Sequence, residues 1–322
     1  MVILMKKLLK FLCLILIVNM MSGCMLKEAK VCATNYPVYY LVNRIGQNYV
    51  QACNLSKNEL VQVAHVSETF ERDLEDASVI FTVNSLEPYY KIYEEEFNLY
   101  HSKLVDLSHT SAIYRFNRYT TTSVDNQQVV VESKYYEGDQ FNNVDMYEKD
   151  VILWIDPISM MSMAKTIAET LSNLYPEYKK DFMARYEELE IELAVLDTEF
   201  QNVKLSGKEI SFVSITPSFG NWQKSYGFSV YPVVLSKYGA LPTEEQLQII
   251  MHRIQNDGVR YIALEENLTP EMEALYDRVK KECNLTEIKL NNISSVSEDT
   301  IKNNKNYMTL MYENLSQLEA IK

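Results

Sequence analysis

Apolar positions along this chain recur with two periods, and they predict two runs of strand and helix separated by one long helix. Lys30 to Thr34 reads as a short strand, and Tyr36-Pro37 turns the chain into a helix over Val38 to Gly46. Val50 to Leu55 is a second strand. Glu68 to Asp76 is a helix with Ser67 as its N-cap, and Ser78 to Val83 is a nearly continuous apolar strand. Pro88 to Tyr100 has the spacing of an amphipathic helix and leads into strand Lys103 to Leu107. A helix then runs from Ile158 to about Leu174, and Tyr178 to about Val203 forms one long charged helix. At 1.5 Å per residue that helix reaches roughly 37 Å, enough to pass from one domain to another. The pattern restarts with strands Glu209 to Ser214, Ser229 to Leu235, Tyr261 to Leu264 and Glu287 to Leu290. Helices Phe219 to Tyr226, Thr243 to Asn256, Pro270 to Glu282 and Tyr307 to Ile321 alternate with them. The expected fold class is α/β: two Rossmann-like lobes with mostly parallel four-stranded sheets, bridged by one long helix.

Residues 110–149 break the rhythm. They are polar, tyrosine-rich and, apart from a strand-like Gln128 to Glu132, without clean periodicity. A segment of that length reads as an insertion over a domain rim.

The opening of the chain sets its destination. Lys6, Lys7 and Lys10 form a positive region before an apolar stretch, Phe11 to Val18, too short to span a bilayer. Met21-Ser22-Gly23-Cys24 then resembles a bacterial lipobox, which implies cleavage before Cys24 and lipid on that cysteine. An ordinary secretory signal with an incidental cysteine is the alternative. The expected organisation is therefore a signal peptide at 1–23, a tether at 24–30, an N-terminal lobe at 31–177, a linking helix at 178–204 and a C-terminal lobe at 205–322.

Composition narrows the classes. Apolar residues make up 47% and charged residues 23%, an ordinary globular balance. Formal net charge is −13, and removal of the three leader lysines leaves about −16. Such a surface argues against nucleic acid and against adsorption to anionic lipid, so membrane association is expected through the anchor only. Only 8 glycines are present, too few for a glycine-rich phosphate cradle, while tyrosine reaches 23. Beyond Cys13 and Cys24, the cysteines are Cys32, Cys53 and Cys283, which lack zinc-ribbon spacing. Cys32 and Cys53 fall in neighbouring strands, where they either pair or pack as small apolar groups.

The order of these pieces resembles the zinc- and manganese-binding lipoproteins of bacterial ABC metal importers. Ala33-Thr34-Asn35-Tyr36-Pro37 with Val42 to Gly46 is similar to that family's opening strand and helix, and Leu74 to Asn84 to its third strand and preceding helix. Asp150 to Pro157 (Asp-Val-Ile-Leu-Trp-Ile-Asp-Pro) sits where the family reads Asp-Pro-His-Val-Trp-Leu-Asp-Pro. Ser211 to Phe228 and Tyr307 to Ala320 resemble its Ser-His-x-x-Phe-x-Tyr segment and closing helix. The resemblance implies two lobes on a rigid helix, Zn2+ or Mn2+ in the cleft between them, and an ABC permease as partner.

The implied ligand positions are largely not ligands. His65 takes the first if its loop has shortened. The second falls on Ile152, the third on Thr216 (near Val234 in relatives with a glutamate), and the fourth near Asn291 or Asn292. An aliphatic side chain binds no metal, and neutral oxygens bind zinc poorly. Since a change around the ligands alone costs 10- to 100-fold in affinity, loss of three of four removes tight binding by the inherited geometry. His101, His109 and His252 read as structural or exposed. Trp154, Asn221 and Trp222 are instead candidates to line a cleft for a metal ion held weakly or for another small solute.

Two functions follow. The first is an extracytoplasmic, lipid-anchored solute-binding protein of an importer with a degenerate metal site. The alternative is a surface-displayed adhesion scaffold that binds no solute and presents the tyrosine-rich segment to a partner. An enzyme is not expected: Gly-x-Ser-x-Gly, His-Glu-x-x-His and Walker motifs are missing, and Glu265-Glu266 reads as a loop start.

Overall fold

The computed structural model describes residues 29–321. The leader, Cys24 and most of the tether lie outside the described residues.

The first sheet is built from β1 (Ala29–Ala33), β2 (Val50–Asn54), β3 (Val79–Thr82) and β4 (Leu104–Asp106), all parallel in the order β2-β1-β3-β4. The central strands carry continuous apolar runs because both faces are covered; all four residues of β3 are buried. Helices α1 (Tyr36–Gly46) and α2 (Phe70–Asp76) flank this sheet. Asn35 caps α1 by accepting from Val38 N at 3.1 Å. The expected single helix over 88–100 is instead two short ones, α3 (Pro88–Ile92) and α4 (Glu94–Leu99), broken at Tyr93 (φ −106, ψ 33).

Cys32 and Cys53 stand opposite each other in the β1–β2 register and form a disulfide. Of the two readings left open by the sequence, pairing is the one the strand register produces.

The second sheet repeats the scheme: β7 (Ser211–Ser214), β8 (Ser229–Pro232), β9 (Tyr261–Leu264) and β10 (Thr286–Lys289), parallel in the order β10-β9-β7-β8. Strand β8 stops at Pro232, earlier than the apolar run to Leu235 suggests. Between the sheets, α5 (Pro157–Leu174), capped by Asp156, packs along α6 (Lys179–Leu205). Helix α6 is the bridge. Its buried residues Phe182, Tyr186, Leu189, Leu193, Leu196, Phe200 and Val203 recur at alternating steps of four and three, one stripe on an otherwise charged rod. Its 27 residues span about 40 Å. Arg185 donates to the carbonyls of Ile45 and Gly46 at the end of α1, and Arg44 pairs with Glu192 at 2.7 Å, fastening the first lobe to the rod. The second sheet is completed by α7 (Gly220–Tyr226), α8 (Glu244–Asn256), α9 (Pro270–Glu282), α10 (Glu298–Lys302) and α11 (Tyr307–Ala320).

The 110–149 segment contains an antiparallel hairpin, β5 (Arg118–Val124) and β6 (Gln127–Ser133), turned by Asp125 and Asn126 at φ 50° and 63°. Most of its aromatic residues face inward, Tyr114 and Tyr147 being half-buried. Phe116, Tyr119, Tyr135, Tyr136 and Phe141 are buried, and all but Tyr119 join the core of the second lobe. The tyrosine excess here is core packing, which removes the basis of the adhesion-scaffold reading.

Candidate functional site

Parallel α/β sheets offer ligands the carboxyl ends of their strands, where side chains from several strands converge. In the second lobe that place is occupied by the Glu265 carboxylate, just beyond β9. Its Oε1 accepts from Ile215 N at 2.7 Å and Thr216 N at 3.0 Å, and its Oε2 accepts from Thr216 Oγ1 and from Asn292 Nδ2 at 2.8 Å. Four donors therefore converge on one buried acid. Burial raises its pKa above the ordinary carboxylate value, and the Asn292 and Thr216 donors oppose the rise.

The 150–156 segment is stitched against the same region by its backbone. Asn221 Nδ2 donates to Ile152 O at 2.9 Å, Trp222 Nε1 to Ile155 O at 2.7 Å, and Tyr307 OH to Trp154 O at 2.7 Å. Trp154 Nε1 in turn reaches Asn292 O at 3.0 Å. The cleft candidates Trp154, Asn221 and Trp222 are thus brought together, but all three are buried with these donors spent on main-chain carbonyls. They hold the molecule together here; they do not line an opening.

Of the positions implied as metal ligands, Thr216 and Asn292 meet on Glu265, and His65 does not join them. Ile152, Thr216, Val234 and Asn292 are buried, Ile152 and Val234 within apolar cores and Thr216 and Asn292 on Glu265. His65 lies outside, its side chain 73% exposed, with Nδ1 2.8 Å from Glu59 Oε2. His101, His109 and His252 are exposed too. Among the described residues, no group of three or more His, Cys, Asp or Glu side chains is placed to hold a metal ion. The donor set does not fit zinc or manganese.

Sequence reasoning missed three buried acids: Glu265, Asp150 and Glu87. Asp150 accepts from Ile152 N at 3.3 Å, and burial pushes its pKa up to about 7. Glu87 accepts from Asn35 Nδ2 at 2.7 Å through Oε1. Burial lifts this carboxyl to about 7, with the Asn35 amide pulling against it. Glu87 lines a cavity of about 340 Å3. One wall is Asn84 to Lys91 of the first lobe, another is Met146 to Val151, and the third is Lys237 and Tyr238 beyond β8. Asn84 and Ser85 both hold positive φ, 48° and 50°, with Asn84 N anchored on Asp106 Oδ1 at 2.9 Å. Two successive non-glycine residues in that region mark a loop kept in place by its surroundings.

The comparisons with known proteins assign the family. The family model for ZnuA, the periplasmic component A of the zinc-uptake complex, matches residues 31–321, and the chain belongs to this family. The zinc-binding lipoprotein AdcA of Streptococcus pneumoniae is 25% identical over 173 residues, covering 54% of this chain and 34% of that protein. The chain spans about a third of the length of the curated relatives it matches. Among solved structures, the AdcAII protein of Streptococcus pneumoniae superimposes with a TM-score of 0.71 at 18% identity, covering 92% of this chain and 100% of that one. The periplasmic zinc-binding protein TroA of Treponema pallidum gives 0.70 at 18% identity, covering 91% and 98%. At such identities the structural likeness carries the fold alone.

Proposed function

We propose that this chain is the extracytoplasmic solute-binding component of an ABC importer, anchored by lipid on Cys24, whose inherited metal position has been closed. It delivers its solute to a membrane permease and catalyses no reaction. The observation that carries the reading is the pairing of family membership with a missing donor set. Where the family resemblance places metal ligands, the residues are Ile152, Thr216 and Asn292, and the last two spend their polar groups on Glu265. The Cys32–Cys53 disulfide supports the location, since such bonds persist outside a reducing cytosol. Among the described residues no helix is long and apolar enough to cross a membrane, consistent with attachment through an anchor.

The test is calorimetric titration of the full chain, purified in detergent and treated with chelator, with zinc and manganese. His65→Ala is the comparison. The expected result is no submicromolar binding of either metal. Tight binding abolished by His65→Ala would mean a rebuilt metal site and would overturn the reading.

A further inference from the structure

The β5–β6 hairpin stands clear of the body: every residue from Thr121 to Glu132 is exposed, so neither face of this stretch is covered. Its strands form a two-stranded sheet of their own, and among the described residues the outer edge of β6 has no partner strand. Three exposed valines share one face. Val129 and Val131 stand on β6 opposite Thr122 and Thr120, and Val124 lies on the same side of β5. A free edge with β-branched, nearly uncharged residues is a template for another strand.

The register decides which backbone groups that edge offers. Val124 and Gln127 flank a two-residue turn whose central residues both have positive φ, so they form a hydrogen-bonded pair, and bonded pairs alternate from there. The amides and carbonyls of Gln127, Val129, Val131 and Ser133 therefore face β5. Those of Gln128, Val130 and Glu132 face out.

We propose that β6 is a self-association edge, along which two copies of this chain pair antiparallel about a two-fold axis at Val130. With that centre, all three outward residues are used on both copies: Val130 bonds its counterpart, and Gln128 bonds Glu132 of the second copy. The side chains suit the same register. Glu132, the one charged residue of β6, meets a neutral glutamine, so no like charges stand opposite each other. Val129 lies against Val131 of the second copy, which joins the two valine patches into one face. Lys134 comes beside Asp125 at the turn of the second copy. Both are exposed and, among the described residues, in no ion pair. The chain as a whole carries −13, which sets copies against each other, whereas Thr120 to Val131 hold a single charge, Asp125 at the tip. Strands of seven residues bury less than the roughly 1,200 Å2 of a stable interface, so the contact is reversible and gains from copies held on one surface. It goes beyond the importer reading and stands without it.

The test is oxidative crosslinking of the full chain in detergent, with Cys283→Ala as background. Val130→Cys is expected to give a disulfide-linked dimer about tenfold faster than Asp125→Cys, whose two copies the pairing sets roughly 34 Å apart. Gln128→Cys and Glu132→Cys are expected to crosslink with each other when mixed, and not with themselves. Sedimentation equilibrium of the native chain is expected to show monomer–dimer exchange. Val130→Pro removes only an outward amide, and Val130→Lys sets two ammonium groups across the axis; both are expected to leave monomer alone. The lysine variant keeps every backbone donor, so it decides the matter should the proline variant disturb the hairpin. Equal crosslinking at positions 130 and 125, or a dimer that survives Val130→Lys, would overturn the proposal. A native chain that stays monomeric at every concentration would overturn it too, leaving the edge to a different protein and the importer reading untouched.

Discussion

Trp154 Nε1 donates to the main-chain carbonyl of Asn292 at 3.0 Å, tying the 150–156 segment to the end of the second sheet at the position where a fourth metal ligand is implied. Both residues are buried, so the bond is shielded from water. Trp154→Phe leaves the Asn292 carbonyl without its donor and opens a small void. The expected loss is about 2 kcal/mol, read as a lower urea midpoint. A change below about 0.5 kcal/mol would mean the bond is dispensable.

Glu265 is the more demanding group, because it accepts from Ile215 N, Thr216 N, Thr216 Oγ1 and Asn292 Nδ2 at once. Glu265→Gln replaces one acceptor oxygen by an amide NH2, which then faces a donor. A cost of about 1–3 kcal/mol is expected at neutral pH, measured by chemical unfolding. An unchanged midpoint would show that the hub tolerates mismatched donors and would weaken the account of why Thr216 and Asn292 cannot serve a metal.

How far these features were legible in the sequence depends on which physical signal each one leaves. The sheets were readable because covered parallel strands, such as Val79–Thr82, are unbroken apolar runs. The bridge was readable because Phe182 to Val203 keep one stripe. The hairpin at 118–133 left a weaker trace: most of its positions are exposed on both faces, so no apolar alternation marks the strands, and only Asp125-Asn126 signals the turn. Glu265 and Glu266 look alike in sequence, and burial of the first alone is a property of three strand ends meeting. Glu87 is the same case, an acid before Pro88 whose isolation from water comes from distant residues. Trp154, Asn221 and Trp222 were read as cleft-lining residues, and nothing in the sequence showed that their donors would be consumed by carbonyls.

Glu87 also predicts the pH dependence. Its carboxyl sits near 7 in the folded protein against an ordinary value near 4.5. Below about 4.5 both states are protonated and the group contributes no difference. Between about 4.5 and 7 the unfolded chain ionises first, so folding stability falls as pH rises and stays lowered above 7. At about 1.4 kcal/mol per unit the full drop is on the order of 3 kcal/mol. Glu87→Gln is expected to flatten that part of the stability–pH curve. Parallel curves for both proteins would show that the carboxyl titrates near its ordinary value.

The disulfide carries the last prediction. Cys32 sits in a strand flanked on both sides and Cys53 in the edge strand beside it, Cα atoms 4.5 Å apart, with a sequence separation of 21 residues. Crosslinking a loop of that length removes conformational freedom from the unfolded chain worth about 3 kcal/mol. The native β1–β2 pairing does not need the bond, because the strands also share ladder hydrogen bonds and α1 packs across them. The paired Cys32→Ala, Cys53→Ala variant should therefore fold to the same structure but unfold at a urea midpoint lower by the equivalent of about 2–4 kcal/mol. Reductant should reproduce the drop in the native chain and leave the variant unmoved. Equal midpoints for the two proteins, with and without reductant, would mean the cysteines stay reduced, and the support that the bond lends to an extracytoplasmic location would go with it.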